Sequence, residues 1–291
     1  AEALAVEVRR DSLELGDPWA PAMMDSLIAA IHLWSSRFVE AEELSRRALT
    51  NFRQIGDKFG VVQALAPRMR ALVALGRTHE AERGIEESLA MSESFGDLSF
   101  PMMAAAGTAV HLGLGDRALS ISEQALDRSL AMGADGSESR ITLALALCQV
   151  GRADEALAVL DVVENVTPYM LSVRSLGRAI TGDPSGSIDD AEQVAADAGA
   201  SYLDRVIAGT SAGAAAMQLG QRDDSVARFD DASSTARAAG DVVARELVGL
   251  TRSVVLHEPS HQEAGHLGSG WRSVTASLAA MVVDRPGEPV A

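Results

Sequence analysis

The dipeptide Gly-Asp stands at 16–17, 56–57 and 96–97, an interval of 40 residues each time. Gly133-Ala134, Gly199-Ala200 and Gly240-Asp241 continue the series less regularly. Between these marks lies a second row of glycines: Gly76, Gly115, Gly151, Gly182 and Gly220. An internal period of this length belongs to stacked supersecondary units, each too small to bury its own apolar face. Glycine suits the left-handed turn after a helix because it has no Cβ to clash. An Asp just after it can cap the next helix.

Each unit therefore reads as helix A, a turn, helix B and a joint. In the second unit helix A is expected at about 59–75 and helix B at about 78–95. Ala81, Ile85, Ser88, Leu89 and Ser92 then fall on one stripe of helix B. In the first unit Ala41, Leu44, Ala48, Leu49, Phe52 and Ile55 do the same, and Glu42–Arg46 and Glu43–Arg47 face away as i,i+4 pairs. No strand-like alternation is found. Six hairpins are expected, at about 16–55, 56–95, 96–132, 133–166, 167–198 and 199–239. The fifth is the least regular, with Gly177, Gly182, Pro184 and Gly186 expected between its helices. Residues 1–15 parallel 40–57 and read as a B helix without its A helix. Its stripe is expected to be exposed, which suggests a piece of a longer protein. Residues 240–283 read as a degenerate final repeat or cap. There Trp271, Val274, Leu278 and Met281 or Val282 recur at helical spacing, and the helix is expected to cover the last hairpin. Residues 284–291 read as a disordered tail.

The spacing of small residues resembles the tetratricopeptide repeat family. A Gly stands five residues before a small residue that opens the packing of helix B, and a second small residue follows seven further on. Gly76, Ala81 and Ser88 fit, as do Gly151 and Ala156, Gly186, Ala191 and Ala198, and Gly220, Ser225 and Ala232. In the first unit Ser36 stands for the Gly, followed by Ala41 and Ala48. The aromatic early in helix A and the Pro that usually ends helix B are absent, and His32 and His111 stand where the family favours Tyr. The long repeats with Gly-Asp joints also resemble the C-terminal arms of bacterial signalling ATPases, transcription activators and class III nucleotide cyclases. The resemblance implies an all-α, right-handed superhelical solenoid of about six helix-turn-helix repeats plus a terminal capping segment.

Little in the sequence points to catalysis. The net charge is −16 with a single lysine, Lys58, and no basic stripe exists to follow a phosphate backbone, so direct nucleic-acid binding is not expected. No apolar run spans a membrane. Cys148 is the only cysteine, which excludes an intramolecular disulfide and fits a reducing cytoplasm. It reads as a small buried hydrophobe. His257, His261 and His266 form H-x3-H-x4-H, but Pro259, Gly265, Gly268 and Gly270 among them favour a solvated loop over a metal site. His32 and His111 read as packing residues with one hydrogen bond each. Asp189-Asp190, Asp223-Asp224 and Asp230-Asp231 read as solvated faces or caps. Residues 182–187 lack the Lys-Ser/Thr ending of a phosphate loop. Neither a cofactor nor a catalytic residue is expected.

The resemblance places the A helices on the concave surface, where a peptide or a partner's helix docks. In the family's register the groove residues are Met23, Ser26 and Ala30, then Gln63, Ala66 and Arg70, then Met102, Ala105 and Ala109, then Glu138, Ile141 and Leu145. This groove is small, apolar and rich in Met, with one cation. Met adapts to varied partners, and Arg70 could hold a carboxylate. The plain alternative is that Met23 and Met102 only pack between helices. Trp19 and Trp34 read as joint and core residues. The expected function is a non-enzymatic scaffold for protein–protein interaction, a regulatory piece of a larger cytoplasmic bacterial protein. A small-molecule-sensing arm controlling an ATPase, cyclase or DNA-binding output is the alternative. A helical metalloenzyme is a more distant one.

Overall fold

A computed structural model of the chain describes residues 2–95, 99–259 and 265–283. Among the described residues fifteen helices follow one another and pack in sequence order. They are α1 (Glu2–Glu14), α2 (Ala20–Trp34), α3 (Phe38–Ile55), α4 (Lys58–Ala74), α5 (Thr78–Phe95), α6 (Phe100–Leu112), α7 (Asp116–Ala131) and α8 (Ser137–Gln149). Then come α9 (Ala153–Leu160), α10 (Pro168–Thr181), α11 (Pro184–Ala196), α12 (Tyr202–Gln218), α13 (Arg222–Ala239), α14 (Val242–Val255) and α15 (Ser269–Val283). The even-numbered helices α2 to α14 are the A helices, each packed on the next A helix and on its own B helix. The architecture is all-α and tetratricopeptide-repeat-like. The Gly96-Asp97 joint, His261 and the tail at 284–291 lie outside the described residues.

The turn chemistry explains the punctuation. Gly113, between α6 and α7, has φ +77, and the equivalent position of the first hairpin is Ser36 at φ 57. A non-glycine residue is uncommon there, so Ser36 adopts the backbone the other units assign to Gly. Counting five and twelve residues on from each left-handed turn residue reaches Ala41 and Ala48, Ala81 and Ser88, Ala118 and Ala125, and Ser225 and Ala232, all buried. Small side chains let the A and B helices approach closely at these crossings. The fifth hairpin obeys the same count from Gly182, which leads to Ser187 and Val194, both fully buried. The assignment of Gly186, Ala191 and Ala198 is thus corrected: Gly186 lies inside α11 and Ala198 is exposed after it. Gly177 likewise lies inside α10 rather than between helices. Asp57, Asp183 and Asp241 cap α4, α11 and α14, accepting the amides of Gly60, Gly186 and Ala244 at 3.1, 3.0 and 2.9 Å.

Charges work between helices more than along them. Glu42 accepts from Arg68 of α4 at 3.1 Å, and Arg47 donates to Asp25 of α2 at 2.6 Å. These cross-helix bonds replace the expected Glu42–Arg46 and Glu43–Arg47 pairs. Asp190 is buried between Arg174 and Arg178, at 2.7 and 2.8 Å, which corrects its reading as a solvated residue. Two glutamines bridge successive A helices in the same way. Gln149 Nε2 donates to the Val110 carbonyl and Gln218 Nε2 to the Ala179 carbonyl, at 2.7 and 2.8 Å.

The array curls until its parts meet. Phe38, Ala71 and Ala74 of the first two hairpins pack with Ala239 and Tyr202 of the sixth. The Phe38 and Tyr202 rings meet edge-on with centroids 5.6 Å apart. Residues 265–283 then run across the A–B turns of several hairpins, so the expectation of a helix covering only the last hairpin is corrected. The His266 ring lies against Gly76, Trp271 against Gly113, and Met281 against Gly182. The Gly268 and Gly270 amides donate to the Leu112 and Gly113 carbonyls at 3.1 and 2.8 Å. A Cβ on Gly268 would sit 2.3 Å from the Gly113 carbonyl oxygen, so this glycine permits a close backbone approach. Trp271, Val274 and Leu278 are buried in the main core.

Candidate functional site

The curl deepens the expected groove into a partly open cavity of about 770 Å³. Its wall comes from α2, α4, α6 and α8, with Ser122 and Ala125 of α7, Tyr169 of α10, the start of α12 and Trp271 of α15. Met23, Ser26 and Ala30 line it, as do Gln63, Ala66 and Arg70, and Glu138, Ile141 and Leu145. Met102, Ala105 and Ala109 do not. They are buried in the core, and the neighbouring Met103, Ala106 and Val110 border the cavity instead. The reason is helical phase. One residue turns a helix by about 100°, and a strict 40-residue step from Met23 and Gln63 lands on Met103 rather than Met102. Trp34, expected in the core, is 71% exposed and lines the cavity. Trp19 donates its indole N–H to Asp57 at the second joint.

The lining is mostly apolar, with polar groups contributed by several helices, Arg70 and His111 among them. Arg70 is half-buried and makes no hydrogen bond or ion pair with a described residue. Two residues earlier, Arg68 is held by Glu42. His111 is 3% exposed; its Nε2 bonds Asp241 Oδ2 at 2.8 Å, while Nδ1 has no protein partner. The buried hydroxyls of Ser26 and Ser122, also in the lining, are likewise without partners. Pro67 sits in the middle of α4 and lines the cavity. Lacking an N–H, it leaves the Gln63 carbonyl without its in-helix donor.

The electrostatics around Arg70 follow from burial. Burial pushes the Tyr169 hydroxyl up to about 12, opposed by the Thr142 hydrogen bond and the charge of Arg70. Burial raises Tyr202 well above the ordinary tyrosine range, reinforced by the Asp241 charge and opposed by that of Arg70. Asp204 completes a capping box with Ser201 on α12. Burial raises its carboxyl, while the Ser201 hydrogen bonds and Arg70 pull it down. For Asp241 burial is again the largest influence and acts upward. His111, the Ala244 amide and Tyr202 outweigh it and hold the carboxyl below its usual value.

The groups weighed for chemistry are structurally engaged. His32 Nε2 bonds Glu2 at 2.9 Å. Burial drives the Cys148 thiol up to about 12, away from thiolate chemistry. His266 is tied to Glu246 through Nδ1 at 2.6 Å, and His257 sits in a left-handed turn at φ 56. Among the described residues no cluster of His, Cys, Asp and Glu is arranged to hold a metal, and no helix is long and apolar enough to cross a membrane.

No protein-family model matches the sequence, and no curated protein matches it. Solved structures share the architecture. A tetratricopeptide repeat protein from Parabacteroides merdae ATCC 43184 superposes with a TM-score of 0.54 at 14% identity, over 80% of this chain and 93% of that one. A Rap protein complexed with competence and sporulation factor gives a TM-score of 0.44 at 12% identity, over 89% of this chain and 87% of that one. The first likeness speaks to the fold alone, and the second is too loose to carry an argument. The chain is a tetratricopeptide-repeat-like helical repeat protein.

Proposed function

We propose that this chain is a non-enzymatic interaction module that holds a protein or peptide segment in the cavity between its A helices. One observation carries the reading: an apolar, Met-bearing cavity of about 770 Å³ whose wall includes a cation, Arg70, without an anionic partner. Adaptable apolar walls accept varied side chains, and a few convergent polar groups fix orientation. The engagement of His32, His111, His266 and Cys148 in packing and pairing favours binding over catalysis. Selecting displayed peptides on the immobilised protein and titrating them into wild type and Ala66→Phe tests it. Phe at this position narrows the cavity where Met23, Arg70 and Met103 also line it, so selected peptides should lose affinity for the variant. Peptides that bind both proteins equally would refute a cavity site.

A second reading is favoured by the size of the site. The volume lies within the roughly 300–1,000 Å³ of small-molecule sites, so a small effector fits as well as a short peptide segment. In that reading the module senses a metabolite and sets the state of an attached output domain. A rise in Tm with a metabolite mixture, in the absence of peptide, separates the two.

A further inference from the structure

We propose that the cavity wall at Pro67 and Gly107 seats a flat, uncharged ring with a cyclic amide edge, and that Gln63 recognises the edge. This rests on the reading that the cavity takes a small effector. Pro67 and Gly107 stand 40 residues apart, at the same place in α4 and α6, and both line the cavity. Proline and glycine are the residues least suited to a helix interior. No turn requires Gly107, which is not among the left-handed glycines. Nor does packing require it, since a Cβ there would meet no atom within 4 Å. What the two residues share is a bare stretch of wall. Glycine projects nothing, and the proline ring stays close to its own backbone. Ala66 and Ala106, just before them, continue the stretch. Local rules broken in this way mark functional positions.

A wall without protruding side chains on two adjacent helices matches the face of a flat ring. The polar groups beside it select the edge. Gln63 lies one turn before Pro67, half-buried in the lining, and its carboxamide makes no hydrogen bond with a described residue. A carboxamide holds an N–H donor and a carbonyl acceptor side by side. Its complement carries C=O and N–H on one edge. A lactam ring presents them so, whereas a trans peptide bond turns them to opposite sides. Pro67 also leaves the Gln63 backbone carbonyl as a further acceptor. Met23 and Met103 occupy the place of Gln63 on α2 and α6 and line the cavity on either side of it. Thioethers make favourable contacts with aromatic rings. Ser26, on α2 at the place of Ala66, is 4% exposed and its hydroxyl has no partner, so a polar ring substituent finds a second contact there. Gln63 and Ser26 are both uncharged, so the ring they recognise needs no charge.

The probe is 2-quinolone, a flat bicyclic lactam, and 1-methyl-2-quinolone is its match without the N–H. The full chain is titrated with both by calorimetry. 2-Quinolone should bind saturably and about 5-fold more tightly than the methylated ring, the scale of one neutral hydrogen bond. In Gln63→Leu that ratio should fall to about 1. Gly107→Ala separates the seat from the fold. Its methyl enters open space on a helix, so Tm should rise by about 2 °C while the affinity for both rings falls. Gly107→Leu should abolish ring binding. No saturable binding of 2-quinolone overturns the seat, as does a ratio that survives Gln63→Leu, or ring affinity unchanged in Gly107→Leu. A fall in Tm in Gly107→Ala would show that packing requires the glycine, and overturns it too. A peptide carboxamide carries the same edge without the ring, so acetyl-Leu-Gln-Leu-N-methylamide is the competing probe. If it binds through Gln63 and 2-quinolone does not, the ring seat gives way to a peptide contact. If no ring binds but selected peptides lose affinity for Ala66→Phe, the cavity reading stands without the seat. If those peptides are indifferent to Ala66→Phe, the cavity reading falls as well.

Discussion

The two outer B-type helices of the array, α1 and α15, both carry apolar residues along the helix and meet opposite fates. On α1 only Ala5 is buried, while Leu4 and Leu13, and Leu15 just beyond, are 65%, 52% and 86% exposed. The helix is held by charge: Arg9 donates to Asp25 at 2.7 Å, and Glu2 accepts from Arg37 and bonds His32. On α15, Trp271, Val274 and Leu278 are no more than 2% exposed. The Trp271 indole N–H donates to the His111 carbonyl at 2.8 Å. The difference teaches that an apolar stripe marks a capacity for burial, and the surface available to it decides the outcome. Helix α1 meets one A helix. Helix α15 meets α8, α10, α12 and α14 together.

The largest test of this contrast is Trp271→Ala. It removes a fully buried ring and orphans a carbonyl acceptor, and should lower stability by about 3–5 kcal/mol in urea denaturation. Leu13→Ala on α1 should change it by less than about 0.5 kcal/mol. Next come the acids that anchor each end. Asp241 is fully buried and ties His111, Tyr202 and the α14 cap together, so Asp241→Ala should cost about 3 kcal/mol. Asp25 is as buried, but its partners Arg9 and Arg47 have side chains 30% and 49% exposed and can rehydrate. Asp25→Ala should therefore cost only about 1 kcal/mol. A titration sharpens the same pair of ends. The folded carboxyl of Asp241 lies below its usual value of 3.8. Its contribution is complete above about pH 4 and is lost as pH falls through the folded value. Asp241→Asn should flatten the acid limb of the stability profile measured by thermal unfolding. Gly268→Ala places a methyl against backbone that cannot yield. It should cost about 1–3 kcal/mol, with amide exchange accelerating first in α15 and then at Gly113. The smallest expected effect is the triple change Leu4→Gln, Leu13→Gln and Leu15→Gln, within about 0.5 kcal/mol of wild type. A loss of several kcal/mol there would show α1 to be covered and break the comparison.

The helical repeat was legible because its signals are local. Glycine at each left-handed turn, Asp at the caps and small residues five and twelve positions on are set by geometry within one hairpin. Even Ser36 could be read as a stand-in for glycine. The fifth hairpin misled because Gly182 and Gly186 offer two competing counts. Only burial of Ser187 and Val194 separates them. On α6 the family's register and a strict 40-residue step from Met23 and Gln63 differ by one residue, and the lining follows the strict step. What the sequence could not convey was closure. The meeting of Phe38 with Tyr202, and of Gly268 with Leu112, depends on curvature accumulated over several hairpins. The Gly-rich 265–270 stretch reads as a loop, although part of its glycine content serves a close approach to another backbone. The partnerless state of Arg70 is equally non-local, since it depends on which carboxylates the curled array engages elsewhere.

The hydrogen bond from Trp271 to the His111 carbonyl spans 160 residues of chain. A simple solenoid folds from any point outward, and each unit answers only to its neighbours. Here the turns at Gly76, Gly113 and Gly182 are each contacted by a segment that must wait for the intervening hairpins to be in place. The entropy of closing so large a loop is lost before its contacts form, which slows the final step. Refolding of this molecule should accordingly separate into fast assembly of hairpins and one late docking event, on which completion of the cavity wall depends.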